Sequence, residues 1–315
     1  MPNQTVMEIN KLNVALSNLD KVFYTASNFT KAQVIDYYIR IAPVLLPHLT
    51  GRPLTLKRYP NGATAKFFYQ KECPSFRPNW LSTVPVWSES KKRSINFCLA
   101  QDLPSLIWAV NLAAIELHTS LSRSDDILRP TMLVFDLDPG HPATIVHCAE
   151  VALTLHRILL ESNLKSFPKT SGSKGMQVYI PLNTRTITYT QTKEFAHSLA
   201  KILEQQNPSL VVSKMKKDLR KGKIFIDWSQ NDDHKTTVCV YSLRAKKYPT
   251  VSTPVTWEEV EVAYLQQAPD LLSFTTDQVL ERVQTMGDLF APVLELQQTL
   301  PNLKKMVFQT IFLQI

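Results

Sequence analysis

Thr131-Met132-Leu133-Val134-Phe135-Asp136-Leu137-Asp138-Pro139-Gly140 is the stretch on which the reading of this chain turns. Four apolar residues lead into two aspartates separated by one leucine, and Pro-Gly ends the run. An apolar run of this length bounded by turn residues predicts a buried strand. Side chains alternate faces along a strand, so Asp136 and Asp138 point the same way, about 7 Å apart. Two carboxylates on one face repel and raise each other's pKa unless a cation lies between them. Two divalent metals about 3.5–4 Å apart, bridging a nucleotide's phosphates, suit that spacing. A solvated strand end is the plain alternative.

Several chemistries use such a stretch. An EF-hand loop opening at Asp136 requires Gly at its sixth position and Glu at its twelfth; His141 and His147 stand there, which excludes it. A haloacid-dehalogenase-type phosphatase would use Asp136 as its nucleophile. That reading leaves Asp227 and Arg244 without a role and has Pro139-Gly140 where Gly-Thr or Gly-Val would follow. A two-metal nucleotidyl transferase is the third reading, and a non-catalytic DNA-end-binding module the fourth.

Downstream, residues 143–162 have a helical period and lead to Lys169-Thr170-Ser171-Gly172-Ser173-Lys174-Gly175, ahead of a strand over 176–182. This is no Walker loop, because the glycine spacing is wrong and a strand follows. Hydroxyls, two lysines and two glycines nonetheless suit a phosphate cradle of backbone N–H groups and cations, with an ordinary turn as the alternative. A helix is expected over 192–205. Lys214, Lys216, Lys217, Arg220, Lys221 and Lys223 then run into Ile224-Phe225-Ile226-Asp227-Trp228. Asp227 is the third aspartate inside an apolar strand, costly to bury without a partner. A strand over 238–243 ending in Arg244, helices near 257–263 and 276–283, and an appended tail complete this half.

Upstream, residues 12–24 read as extended or turn. Thr30 with Gln33 forms a capping-box signature that starts a helix at Lys31, with Pro47 and Gly51-Arg52-Pro53 marking its end. Residues 54–59 alternate as a strand, turn at Pro60-Asn61-Gly62 and return through Phe67-Phe68-Tyr69-Gln70-Lys71, aromatics beside cations. Residues 74–94 read as irregular, with Lys91-Lys92-Arg93 a solvated turn. A helical period over 102–117 delivers Glu116-Leu117-His118 near its end.

The 315 residues suffice for one large domain or two, and 44% hydrophobic with 20% charged residues is ordinary for a globular protein. A net charge of +8 points to a polyanionic partner. Cys73, Cys98, Cys148 and Cys239 lack any Cys-x-x-Cys pair and read as buried thiols of a reducing compartment rather than a disulfide frame. The N-terminus lacks a signal-peptide pattern and no apolar run approaches the roughly 18–20 residues of a membrane span, so a cytoplasmic protein without membrane contact is expected.

Taken in order, Asn18-Leu19-Asp20-Lys21-Val22, the run from Gly51 to Gly62, Asn111-Leu112-Ala113-Ala114-Ile115-Glu116-Leu117-His118, Phe135-Asp136-Leu137-Asp138-Pro139-Gly140, the Lys169 to Gly175 loop, Phe225-Ile226-Asp227 and Tyr241-Ser242-Leu243-Arg244-Ala245 resemble the polymerase domain of bacterial and archaeal ligase D end-joining proteins, a branch of the archaeo-eukaryotic primase superfamily. The resemblance implies an α+β fold with a primase-type (RRM-like) catalytic core of central sheets flanked by helices, over residues 8–296, followed by a tail, 297–315. It implies a template-directed transferase that fills gaps and extends DNA ends in non-homologous end joining, with a preference for ribonucleotides. Asp136, Asp138 and Asp227 would hold two Mn²⁺ or Mg²⁺ ions. Lys57, His118, Ser171, Ser173, Lys174, Gln177 and Arg244 would bind the NTP or dNTP. Phe67, Phe68 and Arg58 would meet the DNA, and Lys21 and Lys31 its downstream 5′-phosphate, where the first turn of a helix already favours an anion. Gapped or overhanging DNA, Ku and an ATP-dependent DNA ligase are the implied partners. Gln177 departs from the histidine usual in the family. No Lys-x-Asp-Gly adenylation motif occurs, so ligase activity is not expected in this stretch.

Overall fold

The Thr30–Gln33 pair starts a helix where the sequence places it. In the computed structural model, which describes residues 4–301, Thr30 Oγ1 accepts from Gln33 N at 3.4 Å and Gln33 Oε1 from Thr30 N at 2.8 Å. The helix Lys31–Leu49 buries Val34, Tyr37, Tyr38, Ile41 and Leu45, one stripe at helical spacing. Pro47 does not end it: Pro43 and Pro47 both lie inside, and the helix continues until Thr50 N donates to Leu46 O at 2.9 Å. Each proline removes one backbone donor, while burial of Leu45, His48 and Leu49 holds the last turns in place.

The described residues fall into two compact units. The first takes in the chain up to Ile127 with Thr236–Thr253 and Phe274–Asp288. Its sheet has the strand order Thr237–Val238, Ala114–Thr119, Leu54–Arg58, Arg93–Cys98, Thr83–Ser88, and Phe68–Gln70 also pairs with Leu54–Arg58. Three expectations need correction here. The helix expected over 102–117 is a helix, Leu103–Asn111, followed by the strand Ala114–Thr119; Ala113, at φ +63°, makes the break. Residues 114–117 are all buried, so their apolar run blended into the helical period before it. The supposedly irregular 74–94 contains Thr83–Ser88, which forms a hairpin with Arg93–Cys98. Val84 and Val86 are buried and alternate with exposed Pro85 and Trp87, and Pro85 is tolerated because this strand ends the sheet order. The strand expected over 238–243 stops at Val238; Tyr241 turns the chain at φ +63°, and Leu243–Ala245 pairs instead with Pro249–Val251.

The cysteine reading is also corrected in part. Cys73 and Cys98 form a disulfide, with Cα atoms 5.0 Å apart, whereas Cys148 and Cys239 are buried free thiols as expected. Cys73 N donates to Asn96 O at 2.6 Å, beside the disulfide that joins cysteines 25 residues apart in sequence, a pairing that spacing alone does not signal.

The second unit comprises Leu128–Lys235, Pro254–Ser273 and the residues from Leu289 on. Its five-stranded sheet runs Phe167–Thr170, Met176–Pro181, Met132–Pro139, Ile224–Asp227, Val211–Val212, antiparallel except for the last pair. The Asp-x-Asp strand is therefore central, and Leu133, Val134, Phe135 and Leu137 are fully buried. The helices Ile145–Glu161 and Tyr189–Gln206 match the expected ones, and Trp257–Leu265 joins the first by stacking Trp257 on His156 at 3.9 Å. Two glycines permit close backbone approach at this sheet: a Cβ on Gly140 would lie 1.7 Å from Arg220 O, and one on Gly175 2.0 Å from Leu137 O. No helix among the described residues is long and apolar enough to cross a membrane. Most of the expected tail, from residue 302 on, lies outside the described residues.

Candidate active site

Strand register builds the acidic centre. In the central strand Asp136 faces Gln177 on one neighbour and Asp227 on the other. Directly opposed residues share a face, and Asp138, two residues on, shares it too. Asp227 is fixed from below by its own chain: Oδ1 accepts from Ser229 N at 3.1 Å and Oδ2 from Gln230 Nε2 at 3.0 Å. Burial, and next the charge of Asp138, push the Asp136 carboxyl up to about 8; a hydrogen bond from Gln177 opposes this, Asp227 adds to it and Lys169 opposes it. Such a cluster of like charges calls for cations, and its all-oxygen donor set fits Mg²⁺ or Mn²⁺ rather than zinc. A tighter group elsewhere in the unit, Asp232, Asp233 and His234, has its ligand atoms within 4.8 Å of one another, but Lys193 already neutralises Asp232 at 2.5 Å.

The loop after Phe167–Thr170 is closed on itself. Ser171 N donates to Gly175 O at 2.9 Å, and Ser171 Oγ accepts from Ser173 N and Gly175 N, each at 3.2 Å. Ser173 and Lys174 are exposed at its tip, while Gly172 takes φ +65°. The two lysines of this loop, counted together in the sequence, separate: Lys169 is fully buried within the strand. Gln177 is buried as well, its Oε1 accepting from Tyr179 Oη at 3.3 Å.

In the first unit the expected nucleotide-binding residues Lys57, His118 and Arg244 meet on one carboxylate. Lys57 opposes Glu116, and Thr55 opposes His118, across two antiparallel strands. Glu116 Oε1 accepts from Lys57 Nζ at 3.2 Å, Tyr59 Oη at 2.8 Å and Ala245 N at 3.2 Å. Its Oε2 lies 3.0 Å from His118 Nε2 and 3.2 Å from Arg244 Nε. Burial works against this charge, yet the His118 hydrogen bond and the Arg244 and Lys57 charges hold the Glu116 carboxyl well below the usual range. Burial lowers the pKa of His118 despite Glu116, and because an ionised carboxylate only accepts, Nε2 is the ring nitrogen that donates to it. Glu116 is not among the residues expected at the site; on the strand Ala114–Thr119, rather than on the expected helix, its position two residues before His118 puts both side chains on one face.

Beside this cluster, Phe67, Phe68 and Tyr69 are all about half exposed. Lys57 Nζ lies 4.3 Å from the Phe67 ring centroid and the Arg58 guanidinium 5.1 Å from that of Phe68. Tyr69, not among the expected site residues, touches the rings of both Phe67 and His118. Lys21 is exposed, with Nζ donating to Pro60 O at 2.6 Å. Lys31 is not a surface lysine: it is buried and donates to Ser17 O at 2.6 Å and Asn111 Oδ1 at 2.7 Å. Burial, with the nearby charges of Lys21 and Arg58, lowers its pKa to about 8. The helix N–H groups expected to await an anion are already used, since Lys31 N and Ala32 N donate to Lys21 O and Leu19 O.

The sequence profile of the family described as LigD, primase-polymerase domain, matches residues 30–290. The multifunctional non-homologous end joining protein LigD of Mycolicibacterium smegmatis is 39% identical over 282 residues, 89% of this chain and 36% of that protein. The bifunctional LigD of Bacillus subtilis is 31% identical over 271 residues, 86% of this chain and 42% of that protein. The chain thus spans well under half the length of these relatives. Among solved structures, the polymerase domain from Mycobacterium tuberculosis ligase D in complex with DNA superposes with a TM-score of 0.82 at 38% identity, covering 90% of this chain and 99% of that one.

Proposed function

Because the chain belongs to the LigD primase-polymerase domain family, we propose that it is a template-directed nucleotidyl transferase that fills gaps and extends DNA ends in non-homologous end joining, preferring ribonucleotides and recognising a downstream 5′-phosphate. The observation that carries this reading is the register that sets Asp136 beside Asp227 with Asp138 on the same face. These three carboxylates would hold two Mn²⁺ or Mg²⁺ ions, which when bound lower the pKa of the primer 3′-hydroxyl and stabilise the leaving pyrophosphate. Ser171 and Ser173 bind phosphate oxygens by their hydroxyl groups and Lys174 by its ammonium. Lys57, His118 and Arg244, ordered on Glu116, supply further donors to the nucleotide. Phe67, Phe68 and Tyr69 offer π-faces to template bases, a sequence-tolerant contact. Ku and a separate ligase activity are the partners this role requires.

The test is extension of a gapped, 5′-phosphorylated duplex with each NTP and dNTP in Mn²⁺ or Mg²⁺, beside p-nitrophenyl phosphate hydrolysis. Metal-dependent extension, faster with NTPs, is expected. Phosphate release without extension would favour a phosphatase, and DNA binding without either would leave an end-binding module.

Two further outcomes are expected. Gapped DNA bearing a 5′-phosphate should bind about tenfold tighter than 5′-hydroxyl DNA, the size of one or two charge-assisted contacts. Lys21→Ala with Lys31→Ala should erase the difference while sparing 5′-hydroxyl binding. Because Lys31 loses its charge above about pH 8 in the free protein, the preference should be full below that pH and fade above it. Equal weakening of both substrates would assign these lysines to a general basic surface. Separately, Gln177→His should lower the KM for NTP, most visibly near pH 6 where the ring is charged. A KM unchanged across roughly pH 6–8 would count against contact between this position and the triphosphate.

A further inference from the structure

Lys169, Gln177, Asp136 and Asp227 occupy one row across four adjacent strands, each directly opposite the next in register. Residues so opposed project from the same face. With strands about 4.8 Å apart, the backbone of Lys169 is about 10 Å from that of Asp136, a gap that a lysine side chain directed along the row shortens. Lys169 is fully buried. Its Nζ lies 5.6 Å from the ring centroid of Tyr179, the residue whose hydroxyl donates to Gln177 Oε1. With that oxygen occupied, the Gln177 amide nitrogen is the group left to donate to Asp136, its hydrogen-bond partner. The backbone of Lys169 is held on its other side by a bridge to Pro254, which fixes its place at the row's end. A buried ammonium is stabilised by nearby anions, and the charge of Lys169 is felt at the acidic centre on the same face, where it opposes the rise of the Asp136 carboxyl.

We propose that Lys169 is a positioning residue for the polymerase reaction: a built-in counter-ion that, through Tyr179 and Gln177, stabilises the carboxylate cluster without metal and weakens its hold on divalent cations. The inference rests on the proposed assignment of Asp136, Asp138 and Asp227 as metal ligands. Its sign follows from charge. The ammonium acts on a dication with twice the force it exerts on a proton at the same place. Removing it therefore favours metal binding even where a carboxyl must first lose its proton. The same removal leaves the metal-free carboxylates less compensated, so the apo protein loses stability. Lysine at this position thus makes metal loading reversible, at some expense of affinity.

The experiment measures Mn²⁺ binding to the free protein, without DNA or nucleotide, by the electron paramagnetic resonance signal of unbound Mn²⁺, together with the melting temperature with and without Mn²⁺. Lys169→Met, of similar length and uncharged, should bind Mn²⁺ at least about fivefold tighter, given the range of Coulomb interactions in partly buried sites. It should also melt lower without metal and show a larger Mn²⁺-induced rise. Lys169→Arg should restore wild-type behaviour. If Lys169→Met does not fold, Lys169→Gln carries the same expectation. Unchanged or weaker Mn²⁺ binding in the uncharged variants overturns the proposal while leaving the metal site intact, provided Asp136→Asn still abolishes Mn²⁺ binding. If Asp136→Asn binds Mn²⁺ like wild type, the metal-ligand assignment fails and this inference falls with it.

Discussion

Asp136→Ala, Asp138→Ala and Asp227→Ala are each expected to reduce primer extension by at least about a thousandfold, which corresponds to roughly 4 kcal/mol of lost transition-state stabilisation. The reason is that these carboxylates share one sheet face and would hold cations acting directly on the reacting oxygens. DNA affinity should stay within about twofold, because the proposed DNA contacts come from cations and aromatic rings of the other unit. Asp136 adds a second signature. Its carboxyl is raised to about 8 by burial and by Asp138, so in the metal-free protein the folded state binds a proton that the unfolded chain releases near pH 4. Its effect on apo stability is therefore smallest in acid and increasingly unfavourable as pH rises from about 4 to 8. Asp136→Asn should accordingly melt higher than wild type at pH 8 without metal, gain nothing from added Mn²⁺, and remain inactive. Near wild-type extension in any of the three alanine variants would remove that residue from the metal site.

Glu116→Gln is expected to cost both stability and catalysis. Each carboxylate oxygen of Glu116 is engaged: Lys57, Tyr59 and Ala245 N donate to one, and His118 lies against the other with the Arg244 guanidinium as an ion-pair partner. Whichever way a glutamine amide is turned, its NH₂ faces donors and one set loses its acceptor. Removing one member of a buried charge cluster costs about 3–5 kcal/mol, which for a domain of this size lowers the melting temperature by roughly 10 °C. Glu116 has a depressed pKa. Its contribution is therefore complete above its unfolded value, near 4.3, and is lost only as pH falls through the lower folded value. The deficit of Glu116→Gln should thus be constant across roughly pH 5–9 and shrink only in strong acid. With Lys57, His118 and Arg244 released from their common anchor, kcat should fall at least about tenfold, the scale of one misplaced charge-assisted contact. Glu116→Asp keeps the charge and should recover more of the stability than of kcat. A melting temperature within about 2 °C of wild type would mean that the carboxylate does not organise these groups.

The chain itself determined a good deal. The Asp-x-Asp strand, the third aspartate at Asp227, the Ser171–Gly175 loop and the Thr30–Gln33 helix start are local patterns, set by period-2 alternation, turn glycines and capping chemistry that operate within about ten residues. The ordered motifs carried the family as well. Other features depended on partners distant in sequence. A helical period ran over 102–117 because Ala114–Thr119 is buried on both faces, whereas the helix ends at Asn111 and the left-handed backbone of Ala113 redirects the chain into a strand. Cys73 meets Cys98 through the fold and not through spacing. Lys31 reads as a surface lysine until Ser17 O and Asn111 Oδ1 are found around its ammonium. Glu116 acquires its role from Lys57, 59 residues earlier, and Ala245, 129 residues later. Lys169, indistinguishable from Lys174 as one of two lysines in a polar loop, is turned inward by the register that sets it opposite Gln177. Electrostatic energies depend on burial and on which charges lie within a few ångströms, and both are properties of strand pairing across the sheet, which no local stretch of sequence contains.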